Sequence, residues 1–259
     1  MIIESNDNIC VIGLHRSGTS TVSYTLSNTH RQYCGELTSA LDFLKLTFPL
    51  DKSEFLYFKP WQEVYSVKYP GVEKYESFRA RLEYIERATN PKIFKILVNE
   101  LADMDVQDIN YLKSTLSNYK VVLCKRPFRE IIISQLVRPA VRNWLVINKH
   151  YDIWPDGVEK NKLTSSTKID VPLNKDLVEK ILKQKPKHIH LMKQIEEFVT
   201  QLNDHVVIDY QDDLENHPWL KPYYTKSNQQ YIKNPFTYNF LFDIEQIIEQ
   251  VKINCNYWY

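Results

Sequence analysis

Between residues 9 and 26 the chain reads ICVIGLHRSGTSTVSYTL, and no other stretch restricts its fold as much. Ile9-Cys10-Val11-Ile12 is a short apolar run, of the kind that forms a strand buried in a parallel sheet. It stops at Gly13. From Thr19 onward, Thr19, Val22, Tyr24 and Leu26 mix hydroxyl and apolar side chains at helical spacing. The connecting residues are Gly13-Leu14-His15-Arg16-Ser17-Gly18-Thr19-Ser20. Two glycines five apart, then Thr-Ser, are the frame of a phosphate-binding loop between a strand and a helix. Thr19 stands where such loops carry lysine, and Arg16 supplies a basic residue inside the loop instead.

The physics of such a loop does not need that lysine. Glycine lets the backbone turn tightly and brings its N–H groups close to an anion. The first helical turn adds unpaired N–H groups and the positive end of the helix dipole. Ser17, Thr19 and Ser20 bring hydroxyls. In nucleotidases the lysine puts charge on the β- and γ-phosphates, beside magnesium. Thr19 therefore points to an anion with fewer phosphates and no metal. Only five glycines occur in the chain, and two of them frame this loop, which argues against a chance turn.

Composition narrows the rest. A chain of 259 residues, 43% hydrophobic, can build one large domain with a full core. Lys and Arg total 33 against 32 Asp and Glu, with no long basic run, so nucleic acid is not an expected partner. The opening residues MIIESNDN lack the basic and apolar segments of a signal peptide, and no run of apolar residues is long enough for a membrane span. Cys10, Cys34, Cys124 and Cys255 are scattered without CxxC spacing. They read as reduced, buried thiols of a cytoplasmic protein. His188 and His190 have no carboxylate at metal-ligand spacing, and no metal is expected.

Along the chain, strands alternate with helices. After the first helix, a short strand or turn is expected near Gln32–Cys34, then a helix from Leu37 to Leu46. Residues 48–73 are aromatic and interrupted by Pro49, Pro60 and Pro70, as in an irregular cover over a site. Phe55, Tyr57, Phe58, Trp61 and Tyr65 within it are placed to stack on an acceptor or to pack on themselves. Helix is expected over Glu73–Ala88 and Val106–Leu116, and strands over Lys92–Val98, Lys120–Cys124 and His205–Ile208. Pro127 opens another helix. Residues 151–172 are polar and irregular. Leu173–Leu202 is mostly helical, with a break expected at Pro186. The alternation predicts an α/β fold, a P-loop-type parallel sheet with helices on both faces, in a single domain spanning 1–259. Residues 48–73 and 151–172 would be its lid or acceptor segments. Ligands of such sheets bind beyond the carboxyl ends of the strands, which makes Arg16, Glu36, Asn99, Arg126 and Tyr210 candidates.

A second basic site is written after the Lys120 strand. Arg126 stands at its end, Ser134 lies eight residues on, and Arg138 four after that, on one helical stripe. Such a stripe is able to hold a second anion. Here the sequence resembles the sulfotransferases that use 3′-phosphoadenosine 5′-phosphosulfate (PAPS), notably the tyrosylprotein, heparan-type and bacterial branches. Arg16, Ser17, Gly18, Thr19 and Ser20 match the family motif that holds the 5′-phosphosulfate. Arg126 and Ser134 match the R-x7-S motif that holds the 3′-phosphate, and Arg138 matches a further arginine of the tyrosylprotein branch. Val207-Ile208-Asp209-Tyr210 with Leu214 resembles a later family strand, with one extra residue before the leucine. The likeness covers roughly residues 8–40, 90–140 and 204–218; the R-K-G stretch of the cytosolic branch is missing.

The resemblance implies a sulfuryl transfer to a hydroxyl or amine acceptor, a glycan or small metabolite, with PAPS as co-substrate. Arg16 and the loop N–H groups would meet the charge growing on the leaving oxygen, and Lys95 is a further donor. Glu36 resembles the base of the tyrosylprotein and heparan branches, one or two residues out of register. His15, where the family often has proline, is either a base or a loop-shaping residue. Two other readings stand beside this one. A P-loop kinase or NTPase would use Asp209, after Val206-Val207-Ile208, to hold magnesium. A non-catalytic module would bind the nucleotide without turning it over.

Overall fold

The computed structural model describes residues 3–4, 6–15, 17–27, 31–48, 61–89, 91–101, 104–127, 131, 135, 175–202 and 204–209. Contacts divide the chain into two compact units, Met1–Lys125 with His190–Asn228, and Arg126–Ile189 with Gln229–Tyr259.

The first unit holds a five-stranded sheet, all parallel, in the order β2-β3-β1-β4-β5. Its strands are β1 (Ile9–Gly13), β2 (Gln32–Glu36), β3 (Lys92–Leu97), β4 (Lys120–Lys125) and β5 (His205–Asp209). The α/β reading of the alternation is thus met. Every residue of β1 is buried, which requires cover on both faces of the sheet. That is why Ile9–Ile12 carries no alternation of polar and apolar residues.

The helices follow the same logic. Helix α1 (Thr19–Ser27) lies against β1, β2 and β3, burying Val22, Ser23 and Leu26. Helix α2 (Ala40–Thr47) packs on β2 with Phe43 and Leu44 fully buried. Then come α3 (Trp61–Lys68), a 3-10 turn (Val72–Glu76), α4 (Phe78–Arg87), the short α5 (Val98–Leu101) and α6 (Val106–Leu116). Helix α7 (Lys175–Thr200) runs from the second unit into the first. Crossovers between parallel strands are right-handed. From β1 the chain moves one way across the sheet, to β2; from β2, β3 and β4 it moves the other way. So α1 covers one face, and α4 and α6, which touch each other, cover the opposite one.

Several elements depart from the sequence reading. Helix α2 begins at Ala40 rather than Leu37, because Leu37 N–H donates to Lys95 O at 2.9 Å and keeps the chain in line with the sheet. Residues 72–88 split in two at Ser77, which is extended and accepts at its side chain from Ala80 N–H. Val98 leaves β3 and opens α5. An eight-residue helix, α3, stands in the stretch read as irregular. Tyr65 on it is fully buried, and Phe43, Phe48, Tyr69, Tyr75 and Tyr84 pack ring to ring nearby. Phe55, Tyr57, Phe58 and the Trp61 side chain lie outside the described residues, as do 151–172 and Cys255. Helix α7 continues through Pro186, whose side is exposed, so water is able to serve the carbonyl that loses its partner. Among the described residues, no helix is long and apolar enough to cross a membrane.

Within the second unit, Ile131 N–H donates to Pro127 O, a helical bond, as expected of a helix opened by that proline.

Candidate functional site

The loop after β1 is built by close approach. A Cβ on Gly13 would lie 2.4 Å from Ser17 Oγ, 2.8 Å from Thr19 Cγ2 and 2.9 Å from Cys124 O, so only glycine fits there. The chain folds back over its own strand end. Ser17 N–H and Ser17 Oγ both donate to Leu14 O, at 3.1 and 2.8 Å. The Ser17 hydroxyl is therefore spent inside the loop, and its role is to shape it. Thr19 is buried as well, whereas Ser20 faces outward from the first turn of α1. Gly18 turns at φ 92°, and Val22 N–H then donates to Gly18 O at 3.1 Å to start the helix. The first turn of α1 thus presents N–H groups that the helix itself does not satisfy.

This loop stands where the sheet changes direction. β1 lies between β3 and β4, and its onward connection leaves for the opposite face from that of β3. At such a point the loops splay apart and leave a crevice beyond the carboxyl ends of the strands.

A second group of side chains meets the loop from β2 and β3. Lys95 Nζ lies 2.7 Å from Glu36 Oε2 and donates to Ser20 Oγ at 2.9 Å. The Lys95 and Glu36 side chains are only 12% and 6% exposed, so this is a nearly buried ion pair. Its geometry has a local cause. Between Tyr33 and Glu36 the β2–β3 register shifts, and Gly35 adopts φ 84°. The irregularity re-aims the next side chain, as β-bulges do, and sets Glu36 opposite Lys95. Lys95 is the one half-exposed residue of β3. Its Cα is in register with Val11, inside the sheet, but its side chain is long enough to reach the start of α1.

The turn after Glu36 is pinned on both sides. Thr38 Oγ1 accepts from Leu97 N–H at 3.2 Å. Arg81, buried on α4, donates to Leu37 O at 2.6 Å, Thr38 O at 3.3 Å, Tyr75 O at 2.6 Å and Glu76 O at 2.7 Å.

Of the residues singled out by sequence, the structure brings together Ser17, Gly18, Thr19, Ser20, Glu36 and Lys95. His15 is a half-exposed turn residue of the same loop. Arg16, Ser134, Arg138, Tyr210 and the Asn99 side chain lie outside the described residues. Arg126 directly follows β4, is half-buried, and begins the second unit. Asp209 ends β5, in register with Lys125 of β4. Two strand spacings, roughly 10 Å, separate β5 from β1. The sequence did not announce that Glu36 and Lys95 touch, although an isolated glycine inside a strand, Gly35, is the signal for a bulge. Arg81 gave no signal at all, since an arginine on an amphipathic helix reads as solvated.

Cys10, Cys34 and Cys124 are free and buried. Burial pushes the Cys10 and Cys124 thiols up, and Cys34 up to about 11 despite the opposing charge of Lys92. None of the three is poised as a nucleophile, which would need a thiolate. Among the described residues no group of three or more His, Cys, Asp or Glu is placed to hold a metal ion. A scan against protein-family models and a search of curated proteins each gave no match to this chain.

Proposed function

We propose that this protein is a sulfotransferase, moving the sulfuryl group of PAPS to an acceptor hydroxyl or amine on a glycan or small metabolite. One observation carries the reading: a lysine and a carboxylate, already in contact, meet a hydroxyl on the first turn of the helix that follows the glycine-framed loop. The chemistry asks for those parts. In-line transfer builds charge on the oxygen leaving with the 5′-phosphate, and positioned donors stabilise it. Lys95, Arg16 and the N–H groups around Gly18–Ser20 are the donors. A carboxylate must take the acceptor's proton as the new S–O or S–N bond forms. Glu36 is that base. When an anion enters the loop, Lys95 turns part of its charge toward it, and Glu36 regains an oxygen for the acceptor. Arg126, Ser134 and Arg138 hold the 3′-phosphate, on the strength of their spacing in the sequence.

The kinase reading would use Asp209 at the end of β5 to hold magnesium. Thr19 in place of the loop lysine counts against it, because that charge is central to phosphoryl transfer. The non-catalytic reading is separated by turnover alone.

Thermal shift is the first test. Adenosine 3′,5′-bisphosphate without magnesium should raise Tm; a shift with ATP and magnesium and none with the bisphosphate would sink the proposal. Glu36→Gln should then lower turnover about 10²- to 10⁴-fold, the usual worth of a positioned base, with bisphosphate affinity little changed. Unaltered turnover removes Glu36 from the role.

A further inference from the structure

We infer that Arg81 is a positioning residue for the Glu36 carboxylate, acting through the backbone of Leu37 and Thr38; the inference rests on the sulfotransferase reading. Arg81 sits on α4, 44 residues beyond Leu37, with 4% of its surface exposed. Its guanidinium donates Nε–H to Leu37 O at 2.6 Å and Nη2–H to Thr38 O at 3.3 Å. Nη1 donates to Tyr75 O and Glu76 O at 2.6 and 2.7 Å. One rigid fork thus ties the two residues after Glu36 to the 3-10 turn ahead of α4.

The other side of the same two residues is tied to β3. Leu37 N–H donates to Lys95 O at 2.9 Å, and Thr38 Oγ1 accepts from Leu97 N–H at 3.2 Å. Leu37 is therefore held by its N–H to the residue that pairs with Glu36, and by its carbonyl to Arg81. Glu36 stands at the end of a bulged strand, where the ladder alone does not fix its direction. Something outside the ladder must define it. A planar guanidinium with donors in a fixed fork is suited to that task, and an ammonium is not.

A charge taken out of water needs a reason, and Lys92 offers the contrast. It is buried too, and its Nζ donates to Ile85 O, Glu86 O and Ala88 O, all at the carboxyl end of α4. That pattern caps α4 and ties it to the start of β3, the strand next after it in the chain. Arg81 instead joins two elements distant in sequence, and it does so directly behind the proposed base.

The test uses the full chain with Arg81→Lys and Arg81→Met, each checked for folding by circular dichroism. Displacing a base by about 1 Å costs on the order of 10²-fold in rate. Arg81→Met should lower kcat by about that factor, and Arg81→Lys by roughly 10-fold, with KM for PAPS within about twofold. A residue that only held the fold together would lower Tm and leave the kcat of the remaining folded protein alone. The second readout needs no turnover. The 13Cδ resonance of Glu36, assigned by its loss in Glu36→Gln, should move in both variants of the ligand-free protein.

Should Arg81 variants fail to fold, Thr38→Val cuts the opposite anchor and should reproduce the 13Cδ change with a smaller loss of kcat. A Glu36 resonance that stays in place in the folded variants overturns the inference, whatever the activity. If the resonance moves but the wild-type chain sulfates no acceptor, Arg81 still sets Glu36, and it is the sulfotransferase reading that falls. If the wild-type chain transfers sulfuryl groups and kcat holds in the Arg81 variants, the positioning role falls and the activity stands.

Discussion

The two ends of the sheet use the same residue types for different ends. At the amino end, cations are consumed by the fold. Arg31 donates to Asp7 O at 3.0 Å, Leu26 O at 3.2 Å and Glu4 O. Lys92 caps α4, and its backbone N–H donates to Asn8 Oδ1 at 3.1 Å. Lys120 pairs with Asp7 at 2.8 Å. Toward the carboxyl end, Lys95 makes its recorded contacts with side chains, Glu36 and Ser20, rather than with carbonyls. Carbonyls of a packed backbone do not move to greet a ligand. Side chains exchange partners. A cation held by carbonyls is part of the scaffold, whereas one held by a carboxylate and a hydroxyl beside a loop is able to exchange them.

Removing Lys95 should break this contrast hardest. Lys95→Met removes the ammonium from the nearly buried Glu36 carboxylate, and breaking such a pair from one side costs about 3 kcal/mol. Urea denaturation should show that loss, and adding Glu36→Gln in the same chain should return most of it. Bisphosphate affinity should fall in both variants. Recovery of stability without recovery of binding is the signature of a pair kept for chemistry.

Gly13→Ala comes next. The new methyl would press on the Cys124 carbonyl, which cannot swing aside, and overpacking of this kind costs about 1–3 kcal/mol. Tm should drop, and anion binding should weaken with it, because the loop must lift off β1.

Lys120→Met should do least, about 1 kcal/mol, with no effect on anion binding. Its pH dependence sharpens the comparison. Desolvation pushes the Lys120 ammonium down, but its hydrogen bond to Asp7 and the charges of Asp7, Asp204 and Glu4 outweigh that and hold it above its ordinary value. A raised amine stabilises fully below its unfolded pKa and loses that stability as pH climbs through the folded one. The Tm gap between wild type and Lys120→Met should therefore be constant at neutral pH and close above about pH 10.4. A gap that stays open through that range would assign the effect to another group.

What the sequence disclosed follows from how local each signal is. α6 came out residue for residue and β1 all but its last residue, Gly13, since an unbroken apolar run and a helical pattern are read from neighbours alone. The loop was equally visible, because Gly13 and Gly18 carry their own explanation. Helix α3 was hidden by the prolines around it, and α2 was placed too early because the bond from Leu37 to Lys95 O is made across the sheet. The same holds at the site. Glu36 and Lys95 were each named for what they could do, while their contact depends on a bulge and on α1 crossing above β3. Arg81 was invisible, because nothing around residue 81 reports the carbonyls of residues 37 and 38.

The strand order has a further consequence for how this protein is made. β1 is made before the other described strands and occupies the middle of the sheet, yet Ile9 pairs with Ile93 on one side and Lys120 on the other. Its sequence neighbour, β2, never touches it. The most apolar strand must therefore wait until Lys92–Leu97 has been made for its first partner, with both of its hydrogen-bonding flanks open. Such distant pairings form slowly and expose the nascent chain to aggregation. Shielding Ile9–Ile12 until Lys92–Leu97 has been made should raise the yield of folded protein.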